Sequence, residues 1–103
     1  MRRLALAVAV LLAGCALQNR FEVIVIDPGA TSARLELCGR LPEVLPRTAK
    51  GFELRRRSDC RGGGQVVVSF QDGSSVVCPV RFVDGGLEAW YRYRVEGGRC
   101  VIA

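Results

Sequence analysis

Apolar and polar residues alternate along much of this chain with a period of two, the spacing of strands that bury one face. From Ser32 to Cys38, Ala33, Leu35 and Leu37 fall on one side, with Arg34 and Glu36 on the other. Phe52 to Arg57 reads as a short strand with Phe52 and Leu54 inward and Glu53, Arg55 and Arg57 outward. The longest alternation, Leu87 to Val95, puts Leu87, Ala89, Tyr91, Tyr93 and Val95 on one face and Glu88, Trp90, Arg92 and Arg94 on the other. Phe21 to Ile26 is a β-branched run closed by the turn sequence Asp27-Pro28-Gly29. Gln65 to Phe70 and Ser75 to Phe82 flank Asp72-Gly73, a hairpin signal. Pro79 cannot donate to a ladder, so it marks an edge or a bulge in the second of these strands. Residues 39–51 hold Gly39, Pro42, Pro46 and Gly51 and read as loop, and Gly62-Gly63-Gly64 reads as a flexible turn. Gly97-Gly98 turns the chain into a last short strand, Cys100 to Ile102. About seven short strands without sustained helical periodicity predict an all-β fold. The expected form is a small antiparallel β-sandwich of Greek-key or immunoglobulin-like type, with a small barrel as the alternative. The Cys-Trp-Cys spacing of true immunoglobulin domains is absent.

The first residues follow a different pattern. Arg2 and Arg3 precede an uncharged apolar stretch, Leu4 to Leu12, which ends in the small residues Ala13 and Gly14 and then Cys15. The apolar run reaches at most Leu17, shorter than the roughly 20 residues a spanning helix needs. Charged lead, apolar run and Leu12-Ala13-Gly14-Cys15 resemble, in order, the leader and lipobox of bacterial lipoproteins. In that family the cysteine thiol receives a diacylglyceryl group, a peptidase cuts before it, and the new amine is acylated. The resemblance covers residues 1–15. It implies a signal peptide over 1–14, a lipidated Cys15 with a short tether over 15–20, and one all-β domain over 21–103. Ala16 stands where many inner-membrane lipoproteins carry aspartate, which implies the outer membrane, facing the periplasm. The five residues from Ala16 to Arg20 reach at most about 17 Å, so the domain would sit against the lipid headgroups.

A domain of this size is near the limit at which a hydrophobic core suffices alone, and small exported domains commonly add disulfides. Four cysteines remain besides Cys15: Cys38, Cys60, Cys78 and Cys100. With no C-x-x-C and no histidine, they are read as two disulfides rather than a metal site. A turn centred on Asp72-Gly73 sets Cys78 opposite Val67, and one centred on Gly97-Gly98 sets Cys100 opposite Val95. Neither cysteine meets another across its own hairpin. Three connectivities stay open, and the reading leans to Cys38–Cys60 and Cys78–Cys100.

The chain carries a formal +5, of which the leader's two arginines supply two, leaving a mild +3. Without histidine there is no Ser-His-Asp triad and no Cys-His pair. The carboxylates Asp27, Asp72 and Asp84 fall in turns, where aspartate is favoured for local backbone bonding. Gly62-Gly63-Gly64 lacks the Gly-Lys-Ser/Thr ending of a phosphate loop. The expectation is therefore a protein that is not an enzyme and needs no cofactor or metal. One constellation suggests binding: Trp90, Arg92 and Arg94 share a face, and Arg55 and Arg57 lie on another strand's outward face. If those strands are neighbours, they make an aromatic-basic surface for an anionic glycan, a lipid headgroup or an acidic envelope protein. The competing reading packs Trp90 under a loop or the arginine stems of an ordinary solvated face. Nucleic acid fits the chemistry but not the compartment. The functional expectation is a membrane-anchored accessory lipoprotein with a binding or structural role. The alternative is a lysozyme-type hydrolase inhibitor, similar in size, anchor and strand content but without a convincing motif, and with a basic charge poorly suited to a basic lysozyme.

Overall fold

The computed structural model describes residues 17–86 and 88–103. The leader, the lipobox, Cys15 and the position of Leu87 lie outside the described residues. Eight strands follow one another: β1 (Gln18–Val25), β2 (Ala30–Leu37), β3 (Glu43–Val44), β4 (Gly51–Arg57), β5 (Gly62–Phe70), β6 (Ser75–Val83), β7 (Ala89–Glu96) and β8 (Arg99–Ile102). They form two four-stranded sheets, ordered β4-β1-β7-β8 and β3-β2-β5-β6. The inner faces share one core. Phe21, Val23, Phe52, Tyr93 and Val95 of the first sheet meet Ala33, Leu35, Leu37, Val66, Val68, Cys78 and Val80 of the second. The alternation in β2 and β7 predicts this division of faces, because successive side chains of a strand point to opposite sides.

The fold is an all-β sandwich with the two disulfides Cys38–Cys60 and Cys78–Cys100. Its pairing is antiparallel except in one place: β1 runs parallel to β7, with Phe21 beside Tyr91 and Val23 beside Tyr93. The rings of Phe21 and Tyr91 stack there at 4.9 Å and 8°. β1 also starts earlier than the sequence suggests. Gln18, Asn19 and Arg20, assigned above to the tether, pair with Arg57, Arg56 and Arg55 of β4. Only Ala16 and Leu17 then separate Cys15 from the sheet, a reach of at most about 11 Å over three Cα steps.

Two stretches differ from their sequence reading. Residues 39–51 are not structureless: they contain edge strand β3, and Leu45 is buried in the core, its N–H donating to the Ala33 carbonyl. Gly62-Gly63-Gly64 is the start of β5 and not a turn. A Cβ on Gly64 would lie 1.9 Å from the Glu36 carbonyl oxygen, so glycine is what lets β2 and β5 close here. The ladder to β6 slips at the same point. Gly62 pairs with Val83 and Gly64 with Val80, so Arg81 and Phe82 together face Gly63. Such a bulge bends the strand and re-aims a side chain. Val80 and Val83 point into the core, while Arg81 and Phe82 are both exposed. Pro79 sits on β6, an edge strand, as its missing N–H requires.

The eight strands of the described residues, the two disulfides and the buried core lie within residues 18–102. A chain beginning at Ala16 therefore contains all of these elements.

Candidate functional site

The outer face of the first sheet holds the candidate surface. β4 and β7 are not neighbours, as the aromatic-basic reading supposed, because β1 lies between them. The register nevertheless aligns their side chains through β1. Arg55, Arg20 and Trp90 form one row, and Glu53, Glu22 and Arg92 the next. Three arginines thus surround two glutamates. Arg20 pairs with Glu53 and, at 3.8 Å, with Glu22; Arg55 reaches Glu53 at 3.4 Å and Arg92 reaches Glu22 at 3.0 Å. The hydrogen bond from Arg20 holds the Glu53 carboxyl below its ordinary value despite some desolvation, with Arg55 adding to the effect. Trp90 is 52 % exposed, and the guanidinium carbons of Arg20 and Arg92 lie 4.1 and 4.5 Å from its ring centre. Both distances are within cation–π range.

The structure gathers some of the expected residues and separates others. Trp90, Arg92 and Arg55 belong to the two adjoining rows. Arg57 lies at one end of the sheet, opposite Gln18, while Arg94 lies toward the other, between Ile24 and Val101. Six positions along β1 separate those rows, about 20 Å at strand spacing, so no small ligand bridges Arg57 and Arg94. Arg20, at the centre of the surface, was missed because it was counted as tether. Extending the alternation of Phe21, Val23 and Val25 back to Asn19 would have found it: Asn19 is buried and Arg20 faces outward. Cys38, Cys60, Cys78 and Cys100 are consumed in disulfides and contribute no free thiol.

A groove runs beside Trp90 where the two sheets meet. The disulfide Cys78–Cys100 draws β6 and β8, the edge strands of different sheets, to a Cα separation of 5.3 Å. Away from that bridge the edges part and leave an open groove of about 420 Å³. Tyr91 and Tyr93 of β7 lie between the edges, their hydroxyls donating to the carbonyls of Phe82 at 3.2 Å and Pro79 at 3.1 Å on β6. Desolvation raises the pKa of both tyrosines, with Tyr91 adding to the shift at Tyr93, so both remain neutral donors. Phe82, turned outward by the bulge, forms one wall, with Val101 and Ile102 opposite. On the far side of Trp90 a second, shallower hollow of about 370 Å³ is lined by Gln18, Arg20, Arg55 and Glu88. The indole is thus a partition between two hollows.

This arrangement offers guanidinium donors, an aromatic face and apolar walls. Among the described residues, no three His, Cys, Asp or Glu side chains are grouped to hold a metal ion. No family model, curated protein or solved structure matches the chain.

Proposed function

We propose that this protein is a lipid-anchored, non-catalytic binding module of the bacterial cell envelope. It is held by Cys15 at the outer membrane facing the periplasm, and it engages an anionic partner through the face around Trp90. The observation that carries the reading is the row Arg55, Arg20, Trp90, which crosses three strands five residues beyond Cys15. An exposed indole flanked by guanidinium groups offers stacking area and forked donors to a phosphate or carboxylate. With Cys15 lipidated, the short segment between it and β1 keeps that row close to the headgroups. Partners of the right chemistry are an anionic glycan, a lipid headgroup or an acidic envelope protein.

Metabolic labelling with a fatty-acid analogue tests the anchor: the wild type is labelled and Cys15→Ala is not. Binding of the chain from Ala16 onward to lipopolysaccharide tests the surface. Salt weakens that binding, because exposed charges are screened within about 10 Å at 0.1 M. Trp90→Ala reduces it at every salt concentration. Equal labelling of both proteins overturns the anchor, and binding indifferent to Trp90→Ala overturns the surface.

A further inference from the structure

We propose that the groove between β6, β7 and β8 holds the hydrocarbon chain of a single-chain anionic amphiphile, with its phosphate or carboxylate head received by Arg81 and Arg92. The proposal names the partner class of the Trp90 surface and rests on the reading of that surface as anion-binding. Four observations carry it. First, the groove walls are apolar and open to solvent: Phe82 is 53 % exposed and Ile102 is 80 % exposed. Clustered exposed apolar side chains mark interaction sites, whereas isolated ones need no explanation. Second, the bulge opposite Gly63 turns Phe82 outward, where strict alternation after Val80 would carry it into the core. Third, the described residues lining the groove include two charged side chains, Arg81 and Arg92, and no carboxylate. Arg81 makes no ion pair among the described residues, and Arg92 meets Glu22 through Nε. Arg61, paired with Asp84 at 3.6 Å, lies 5.9 Å from the Phe82 ring outside the groove lining. Fourth, β6 and β7 place Phe82 and Trp90 near the end where β1 begins, so the groove lies toward the short segment leading to Cys15.

A tail without a charged head would leave Arg81 unpaired at the rim, and a head without a tail would leave Phe82 and Ile102 in water. An amphiphile satisfies both groups together. The edges of β6 and β8 are too close at Cys78–Cys100 to admit an added strand, which sets an extended peptide apart from a flexible chain.

Trp90 is the chain's single tryptophan, so its fluorescence reports this site without labelling. The chain from Ala16 onward is titrated, below micelle-forming concentrations, with three probes: lysophosphatidylglycerol, lysophosphatidylcholine of equal chain length, and glycerol phosphate. The expected order is lysophosphatidylglycerol about tenfold tighter than lysophosphatidylcholine, with no saturable response to glycerol phosphate. Shortening the tail by two methylenes weakens binding by about tenfold. Bromine atoms in the tail quench Trp90. Phe82→Ser and Ile102→Ser, both at exposed positions, weaken binding of either lipid, while Arg81→Ala removes the preference between heads. Absence of quenching, or equal affinity of Phe82→Ser, Ile102→Ser and wild type, overturns the proposal. Saturable, Trp90-dependent binding of glycerol phosphate equal to that of the lipid overturns it while leaving the anion-binding reading standing. Failure to bind any of these probes or lipopolysaccharide overturns both.

Discussion

Asp27 accepts hydrogen bonds from the N–H groups of Gly97 and Gly98, each at 2.8 Å, and so closes the β7–β8 turn from 70 residues away. The turn sequence Asp27-Pro28-Gly29 suggests a carboxylate bonding locally, but both oxygens are used on a distant hairpin. Gly97 and Gly98 both have positive φ, a conformation suited to glycine, and the carboxylate satisfies the N–H groups exposed there. Asp27→Ala is expected to lower stability by about 1.5 kcal/mol, the scale of a charged hydrogen bond, as read from the urea midpoint. Asn19 behaves oppositely. Its side chain is buried, and its amide makes no hydrogen bond among the described residues. Asn19→Leu keeps the branched four-atom skeleton, with somewhat larger methyl ends, and removes the desolvated amide, so stability should rise by about 1–3 kcal/mol. A lower midpoint for Asn19→Leu would show that the amide is satisfied in solution.

At the scale of the elements, the face assignment of β7 is the most direct test of the sandwich. Tyr93 is 5 % exposed and reaches the Pro79 carbonyl, whereas Arg94 is exposed on the outer face. Tyr93→Ala should cost about 3–5 kcal/mol, as large core truncations do. Arg94→Ala should cost less than about 0.5 kcal/mol. The reverse order in a denaturant titration would turn the sheet inside out. That face was legible because alternation is local: Tyr91, Tyr93 and Val95 declare it within five residues. The Gly97-Gly98 hairpin was legible for the same reason, and Val95 does oppose Cys100. The Asp72-Gly73 hairpin was misread by one residue. Its loop is longer than two residues, with Asp72 accepting from Ser74 and Gly73 donating to Phe70, so Cys78 faces Val66 and Val67 faces Val77. The parallel β1–β7 pair and the row through Arg20 depend on strands far apart in sequence, and the bulge at Gly63 is a ladder slip at the open end of its hairpin, away from the turn. No local pattern encodes them, and the candidate surface was therefore visible only as two disconnected sets of arginines.

For the molecule as a whole, acid should be the destabilising direction. Four carboxyls sit below their ordinary values. Glu36 is held there by a hydrogen bond from Gln65 and then by Arg34, Glu53 by Arg20, and Asp72 by the Ser74 hydroxyl and N–H. At Asp59 desolvation pushes upward, but Arg56 and Arg40 outweigh it. A carboxyl with a lowered folded pKa binds fewer protons in the folded state, so stability rises with pH between the folded and unfolded values. The contribution is complete above the ordinary carboxylate range and is lost as pH falls through the folded values. Asp59 and Asp72 are exposed and Glu36 and Glu53 are half-buried on the outer sheet surfaces, so solvent still screens these pairings and each effect is small. The urea midpoint should be level from about pH 7 to about 5 and fall below about pH 4, less steeply in Glu53→Gln. A midpoint that climbs on acidification would contradict these pairings. The parallel pairing of β1 with β7 also has a consequence in time. β1 is made first, yet its partners begin only at Gly51 and Ala89, and Asn19 pairs with a residue 70 positions later. A chain appearing from its N-terminus must wait until it is nearly complete before its first strand is flanked on both sides. Such long-range closure places folding in the millisecond-to-second regime, while at about 5–20 residues per second the chain between Asn19 and Ala89 takes several seconds to make, so β1 waits on synthesis and not on its own closure.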